Sequence, residues 1–205
     1  MMNMFRIAAD VMHLISFLII LLKIQTTRSA SGISYKTQLL YTIVFCARYL
    51  DLIMVHLYIS LYNTVMKFIF ISSSFYILYL MKVKYRSSWD PNLDTFRIEF
   101  LIVGSFVLGL LFHVRFSFIE VLWSFSIFLE SVAILPQLFQ MTRTGEAETI
   151  TSHYIFALGA YRALYLANWI YRFFTESHFT DWISVSAGFL QTVFYVDFFY
   201  IYFTR

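Results

Sequence analysis

Long apolar segments with very little charge are the feature that most limits how this chain can fold. Of its 205 residues, 60% are hydrophobic and 21% are aromatic, whereas only 13% are charged. An ordinary soluble domain carries about 25% charged residues. A chain with so few charges cannot cover an apolar core with a polar surface. We therefore predict that it folds within a membrane.

The lengths of these segments predict seven membrane-spanning helices. A helix needs about 20 apolar residues to cross a bilayer core of about 30 Å. The segments are continuously apolar and do not alternate, which indicates helices rather than strands. We predict spans at residues 5–22, 38–57, 61–81, 96–113, 118–139, 151–173 and 182–203. Because no polar linker is long enough to divide the chain, residues 1–205 should form one all-α membrane domain.

Basic residues outside the spans predict the orientation of the bundle, because cytosolic loops carry an excess of Lys and Arg. Seven spans place the first, third and fifth loops on the side of the C-terminus. That side holds Lys23, Arg28, Lys36, Lys82, Lys84, Arg86, Arg97, Arg143 and Arg205. The opposite side holds Arg6, Arg115 and Arg172. We therefore expect a lumenal N-terminus and a cytosolic C-terminus.

Ionisable residues within spans mark candidate functional positions, since each costs about 2.5–3.5 kcal/mol at the centre of a bilayer. Helical spacing places several of them, with neighbouring aromatic residues, on shared faces. These groups are Arg6, Asp10 and His13; Arg48, Tyr49 and Asp51; Glu120, Trp123 and Glu130; and Tyr161, Arg162, Tyr165, Trp169 and Arg172. For Asp10, Glu130 and Asp197, structural pairing that only holds the bundle together is an equally good interpretation. For Lys67 we expect the side chain to reach the membrane interface.

The arginines predict the chemistry of a ligand. Three of them lie on different predicted helices, namely Arg6, Arg48 and Arg162. Arginine does not lose its proton in proteins, so these side chains should face a polar cavity, with Arg172 near its lumenal mouth. Guanidinium groups bind carboxylates, while Asp51, Glu120 and the ring of Trp169 could receive a cationic group. We predict a short acidic ligand with one basic end.

Other classes of function find no support in the sequence. It contains no H-E-x-x-H motif and no glycine-rich phosphate loop. The single cysteine, Cys46, cannot form an internal disulfide framework or a multi-cysteine zinc site. The net charge of +3 is small and scattered, which argues against nucleic acid as a partner. We expect a protein that is not an enzyme and that uses no metal and no cofactor.

A weak internal repeat suggests an architecture. An offset of 114 residues aligns ARYLDL (47–52) with YRALYL (161–166), matching one arginine and two leucines. This alignment fits two parallel three-helix repeats, helices 1–3 and 5–7, joined by helix 4 as in SWEET-type transporters. The pair Pro136–Gln137 is the one that gives the PQ-loop group its name, and Pro136 should kink the fifth helix.

Longer motifs resemble one family along essentially the whole chain. They are ARYLDL (47–52), SLYNTVMK (60–67), DTFRIEFL (94–101), SFSIFLESVAILPQL (124–138), TGEAETITSHY (144–154), YRALYLANW (161–169) and DFFYIY (197–202). They are similar to motifs of the ER lumen protein-retaining receptors, the KDEL/HDEL receptor family. The resemblance implies a seven-helix, PQ-loop-like receptor. Such a receptor captures escaped ER-resident proteins in the acidic Golgi by their C-terminal K/H-D-E-L signal and releases them in the ER near neutral pH.

The same resemblance implies roles for individual residues. Arg48 and Tyr49 would hold the terminal carboxylate of the signal, and Arg6 and Arg162 its acidic side chains. The remaining members of the peptide site would be Asp51, Glu120 and Trp169 around the residue four from the end, Trp123 and Tyr165 in the lining, and Arg172 as the outermost arginine. Control by pH would involve His13 as the proton sensor, with a Tyr161–Glu130 hydrogen bond that locks the loaded state.

Two departures from the family pattern leave details open. The stretch LIMVHLYISL (52–61) is about two residues longer than expected, so the preference for K or H in the signal is not fixed. The lysine-containing cytosolic tail through which the family recruits the COPI coat would lie beyond Arg205. Membrane lipid is the other expected partner, in ER and cis-Golgi membranes. The rival readings are a PQ-loop or SWEET-type small-molecule transporter on the same scaffold and a purely structural membrane protein.

Overall fold

The computed structural model describes residues 3–52, 60–144, 149–176 and 181–204, with all their side chains except those of 51, 149, 197–199 and 201–204. Regular structure in this part of the chain is entirely helical. Its α-helices are α1 (Met4–Thr27), α2 (Tyr35–Arg48), α3 (Leu61–Tyr79), α4 (Ile98–Leu111), α5 (Phe118–Val132), α6 (Leu135–Thr144), α7 (Thr149–Thr175) and α8 (Trp182–Thr204). A π-helix, Leu80–Lys84, continues α3, and two short 3-10 turns occupy Leu50–Leu52 and Arg86–Ser88.

The helices pack as a bundle in which α1 lies along α7, α2 contacts α3 and α5, and α4 packs on α5. Residues spaced by three and four along α1, such as Phe17, Ile20 and Ile24, turn into the core. The outer surface remains apolar, and large side chains such as Phe100 and Leu111 of α4 are exposed. An apolar exterior around an apolar core is the distribution that a lipid environment favours.

Three helical segments in the described part are individually long and apolar enough to cross a membrane. They are Met4–Thr27, Leu61–Lys84 and Phe118–Thr144, while Ile98–Leu111 and Trp182–Val196 are shorter apolar helices. The prediction of an all-helical, membrane-type fold is thereby confirmed at this level. The count of seven spans and the two-repeat architecture stay predictions.

The fifth predicted span, residues 118–139, is interrupted. Helix α5 ends at Val132 and α6 begins at Leu135, so Pro136 lies in the first turn of α6, where proline is tolerated because its missing N–H needs no partner. We expected a kink within one helix, and the structure has a two-residue break, at residues 133–134, inside the helical segment Phe118–Thr144. The side chain of the fully buried Gln137 accepts a hydrogen bond from the Ser34 backbone N–H (2.8 Å) and donates one to the Gly32 carbonyl (2.9 Å). These bonds tie the break to the loop between α1 and α2.

The second predicted span, residues 38–57, also ends earlier as an α-helix. Helix α2 stops at Arg48, and the Tyr49 N–H donates to the Phe45 carbonyl as its cap (3.0 Å). The chain continues in the 3-10 turn, and residues 53–59 lie outside the described part. Arg48 therefore stands at a helix C-terminus, where the helix dipole favours a positive charge.

Helices α4 and α5 approach very closely at Gly109. A Cβ atom on Gly109 would lie 2.8 Å from the backbone nitrogen and 2.9 Å from the Cα of Phe125. Backbone atoms in a packed helix cannot yield easily, so this glycine permits the approach. Gly104 on the same helix has open space around its missing Cβ.

Candidate functional site

A cavity of about 390 Å³ lies among α1, α2, α3, α5, α7 and the start of α8. The N-terminal ends of α1 and α3 and the C-terminal ends of α2 and α7 all contribute to it, so the mouth lies at one end of the bundle. Its basic lining residues are Arg6, Arg48, Lys67, Arg162 and Arg172. Its acidic lining residues are Asp10, Glu130 and Asp181. The described lining thus has an excess of positive charge, which suits an anionic ligand.

Most of the site residues predicted from the sequence border this cavity. They are Arg6, His13, Arg48, Tyr49, Trp123, Glu130, Tyr161, Arg162, Tyr165, Trp169 and Arg172. Glu120 is half-buried in the first turn of α5 and is not among the described lining residues. The side chains of Asp51 and Asp197 lie outside the described part, so their predicted roles stay predictions.

One carboxylate binds two arginines at the inner end of the cavity. Glu130, only 1% exposed, lies 2.6 Å from Arg48 Nη2 through Oε2 and 2.7 Å from Arg162 Nη2 through Oε1. The Tyr161 hydroxyl donates a further hydrogen bond to Oε1 at 2.6 Å. Charges removed from water need such partners, because an unpaired buried ion is strongly destabilising. This cluster joins α2, α5 and α7 and carries one net positive charge.

Ser126 fixes the orientation of the Arg48 guanidinium. Arg48 Nε donates to the Ser126 hydroxyl at 3.1 Å, and Nη2 donates to the Ser126 carbonyl at 3.2 Å. Ser126 lies one helical turn before Glu130 on α5, so both contacts come from the same helix face. The fork of Arg48 is thus held along one edge.

Two buried nitrogen atoms near this cluster have no hydrogen-bond partner within the described residues. They are Arg162 Nε and His13 Nε2. The His13 ring stacks on Tyr161, with ring centroids 4.1 Å apart and planes 4° from parallel. Buried polar atoms without partners carry a desolvation penalty, which a ligand or water entering the cavity can relieve.

Hydroxyl groups, not arginine, bind Asp10 in the middle of the cavity. Tyr62 donates to Oδ2 at 2.8 Å, and Tyr165 donates to Oδ1. Arg6 Nη2 instead donates to the Asn63 side-chain carbonyl at 3.0 Å. The shared face of Arg6, Asp10 and His13 was correctly predicted, but the partner of each residue depends on α3 and α7.

At the mouth, Arg172 binds Glu176 on the next helical turn. Arg172 Nε lies 3.0 Å from both carboxylate oxygens, and Nη2 lies 2.8 Å from Oε2. Nearby, Trp169 packs on Gly188 of α8, where a Cβ atom would lie 2.4 Å from the indole ring. This contact holds one wall of the cavity.

Several lining residues were not predicted from the sequence: Tyr62, Asn63 and Lys67 on α3, Asn168 on α7 and Ser184 on α8. Lys67, expected at the membrane interface, borders the cavity with its Nζ 5.6 Å from the centre of the Tyr49 ring. The sequence held a signal for three of them. Asn63 and Lys67 are four apart on α3, and Asn168 follows Tyr165 by three on α7, so each shares a face with another polar residue.

Comparisons of the sequence with a family model and with known proteins agree on one family. A profile described as ER lumen protein retaining receptor matches residues 29–172. The ER lumen protein-retaining receptor of Drosophila melanogaster is 56% identical over 204 residues, covering 100% of this chain and 95% of its own length. That of Caenorhabditis briggsae is 55% identical, with 100% and 94% coverage, and receptor 2 of Bos taurus is 56% identical, with 100% and 95%. The chain therefore belongs to the ER lumen protein-retaining receptor family.

Proposed function

We propose that this chain is a membrane receptor for the C-terminal K/H-D-E-L retrieval signal of escaped ER-resident proteins. The observation that carries the proposal is the arginine-lined cavity, in which Arg162 Nε lacks an acceptor among the described residues. A signal ending in D-E-L brings three carboxylates, counting the chain terminus. Arginine is the side chain best suited to bind carboxylates in such a partly desolvated place.

The proposed pose gives each arginine the role that the family resemblance implies. Arg48 and Tyr49 bind the terminal carboxylate at the inner end, Arg6 and Arg162 bind the acidic side chains, and Arg172 meets the peptide at the mouth. Because Glu130 already binds Arg48 and Arg162, the carboxylates of the signal must take over part of its role. Binding is then an exchange of one set of carboxylates for another.

The basic residue four from the end of the signal needs a different environment. We propose the ring of Trp169 as one wall, with Trp123 and Tyr165 completing the lining. Asp51 and Glu120 remain the proposed acidic partners from the sequence. Asp10 lines the cavity as well, but its oxygens already accept hydrogen bonds from two tyrosines.

Control by pH belongs to the same proposal. A histidine titrates near pH 6.5 in model peptides, whereas the carboxylates of the signal titrate near pH 4. His13 contacts Tyr161, which binds Glu130, so a proton on His13 can act on the cluster that holds Arg48. Retention of the signal in mildly acidic compartments and release near neutral pH follow if protonated His13 favours the loaded cavity.

The proposed topology places the mouth of the cavity in the lumen. It comprises one domain of seven spans, with helices 1–3 and 5–7 as repeats, helix 4 as linker, and a cytosolic C-terminus. The repeat is supported by the finding that Arg48 and Arg162, which the 114-residue offset aligns, bind the same carboxylate of Glu130. Residence in ER and cis-Golgi membranes, recruitment of the COPI coat and contact with membrane lipid complete the proposal.

The test measures the binding of peptides that end in the retrieval signal to the full chain in lipid nanodiscs, at mildly acidic and at neutral pH. Peptides ending in K-D-E-L and H-D-E-L should bind more tightly at acidic pH. The matched control is the same peptide with a C-terminal amide, which lacks only the terminal carboxylate and should bind weakly. Equal or absent binding of acid and amide peptides at both pH values would contradict the receptor proposal. Solute uptake by proteoliposomes would instead favour the transporter reading.

A further inference from the structure

Glu176 binds Arg172, the outermost arginine of the cavity, in the geometry that an incoming carboxylate would adopt. Both of its oxygens lie 2.8–3.0 Å from the Nε and Nη2 atoms of Arg172. Glu176 is the first residue after α7, and its backbone N–H donates to the Arg172 carbonyl at 2.8 Å. This bond continues the last helical turn and sets the two side chains four residues apart on one face.

The position of this pair makes it exchangeable. The side chains of Arg172 and Glu176 are 30% and 27% exposed, whereas that of Glu130 is 2% exposed. An arginine that precedes its glutamate by four residues is in the less favourable order on a helix. A carboxylate at a helix C-terminus also faces the negative end of the helix dipole. The pair at the mouth should therefore be far weaker than the buried cluster around Glu130.

We propose that Glu176 is an internal competitor for the carboxylates of the retrieval signal at Arg172. The inference rests on the proposed function. Glu176 engages the guanidinium fork of Arg172. A signal peptide that carries a carboxylate to the mouth takes its place. Glu176 thereby lowers the affinity for every acidic C-terminus and raises the threshold that a true signal must exceed.

The competition should be independent of the pH switch. The hydrogen bonds from Arg172 hold the pKa of the Glu176 carboxyl below its usual range. The carboxylate therefore stays ionised from mildly acidic to neutral pH, and it competes equally at both. A change at Glu176 should move affinity by the same factor at the two pH values.

The principal variant is Glu176→Gln, which keeps the shape of the side chain and removes its charge. Exposed pairs of this kind are worth a small free energy, so we expect peptide affinity to rise about two- to fivefold at both pH values. The charge control is Asp181→Asn at the same mouth. Asp181 caps α8 by accepting a hydrogen bond from the Ser184 N–H (3.1 Å), and asparagine caps equally well. We expect a smaller gain from this control.

A double-mutant cycle with Arg172→Gln isolates the pair, because Glu176→Gln should bring no more than the small gain of the charge control once the arginine is absent. Dissociation constants are measured with the K-D-E-L peptide on the full chain in nanodiscs, and thermal midpoints confirm that each variant is folded. Unchanged or weaker binding by Glu176→Gln overturns the inference. So does an equal gain in the Arg172→Gln background or in Asp181→Asn. A wild-type chain that binds no signal peptide overturns the proposed function itself, and the inference with it.

Discussion

Replacing Arg48 by alanine tests the inner end of the cavity most directly. In the structure, Arg48 bridges Glu130 at 2.6 Å and Ser126 at 3.1 and 3.2 Å. These contacts occupy one edge of the guanidinium fork, which lines the cavity beside Tyr49. If the terminal carboxylate of the signal binds Arg48, the substitution leaves that carboxylate desolvated without its partner.

The expected loss of peptide affinity in Arg48→Ala is large. Removing one member of a desolvated charged pair costs about 2–5 kcal/mol of binding free energy, which is about 30-fold or more in affinity. Arg48→Lys keeps the charge but not the fork, so it cannot serve Ser126, Glu130 and a ligand together. We expect Arg48→Lys to lose about tenfold. Folding should survive both changes, since Arg162 remains on Glu130 at 2.7 Å.

The assay is a cycle between receptor and peptide, with affinities measured at mildly acidic pH. Amidation of the peptide C-terminus should cost the wild type about 30-fold or more and should cost Arg48→Ala almost nothing, because the partner is already absent. Arg86→Ala, an exposed arginine in the 3-10 turn beyond α3, serves as the control and should bind normally. A folded Arg48→Ala receptor that still discriminates against the amide would place the terminal carboxylate elsewhere.

Three further predictions concern the switch, the buried cluster and the helix packing. His13→Ala should bind the signal peptide with the same affinity at mildly acidic and neutral pH, because linkage requires the proton sensor to titrate differently in the free and loaded states. Glu130→Gln should lower the thermal stability of the receptor, with a free-energy loss of about 3 kcal/mol, since the buried Arg162 and the half-buried Arg48 lose their carboxylate. Gly109→Ala should destabilise by about 1–3 kcal/mol through the clash with Phe125, whereas Gly104→Ala should not, as measured by thermal unfolding.

Each of these has a defined contrary outcome. Full wild-type pH dependence in His13→Ala would assign the sensor to another group. A Glu130→Gln receptor as stable as the wild type would mean that water in the cavity already solvates the arginines. For the glycines, alanine in open helical space should be neutral or slightly stabilising, so equal midpoints for Gly109→Ala and Gly104→Ala would show that α4 and α5 separate without loss.

Much of the site could be predicted from the sequence because the membrane restricts where charge can lie. An arginine inside an apolar span must turn towards a polar interior, and helical spacing then fixes which neighbours share its face. In the structure, Arg6, Arg48 and Arg162 line one cavity, as this spacing predicts. Helical spacing does not predict which residues pair across helices. That Arg48 and Arg162 share Glu130, while Arg6 binds Asn63, depends on how the helices approach one another.

The helix boundaries show a second limit of local reasoning. Pro136 signals a disturbance, but proline is compatible both with a kink inside a helix and with the first turn of a new one. In the structure Pro136 follows a two-residue break within the segment Phe118–Thr144, and Gln137 finds partners in the α1–α2 loop, far away in sequence. Likewise, the apolar residues after Arg48 predicted a longer span, yet the α-helix ends at Arg48, beside its partners on α5.

The internal carboxylates account for how an arginine-lined cavity can exist before its ligand arrives. Arginines withdrawn from water need counter-ions, and Glu130 provides one for both Arg48 and Arg162. The binding free energy of a ligand is then the difference between the contacts that its carboxylates make with the arginines and the contacts that the internal carboxylates already make. A single carboxylate gains little from such an exchange, because it replaces one contact with a similar one. Several carboxylates with the right spacing also satisfy donors that have no partner among the described residues, such as Arg162 Nε. If the retrieval signal binds in this cavity as proposed, selectivity for a short, multiply acidic C-terminus follows from this difference.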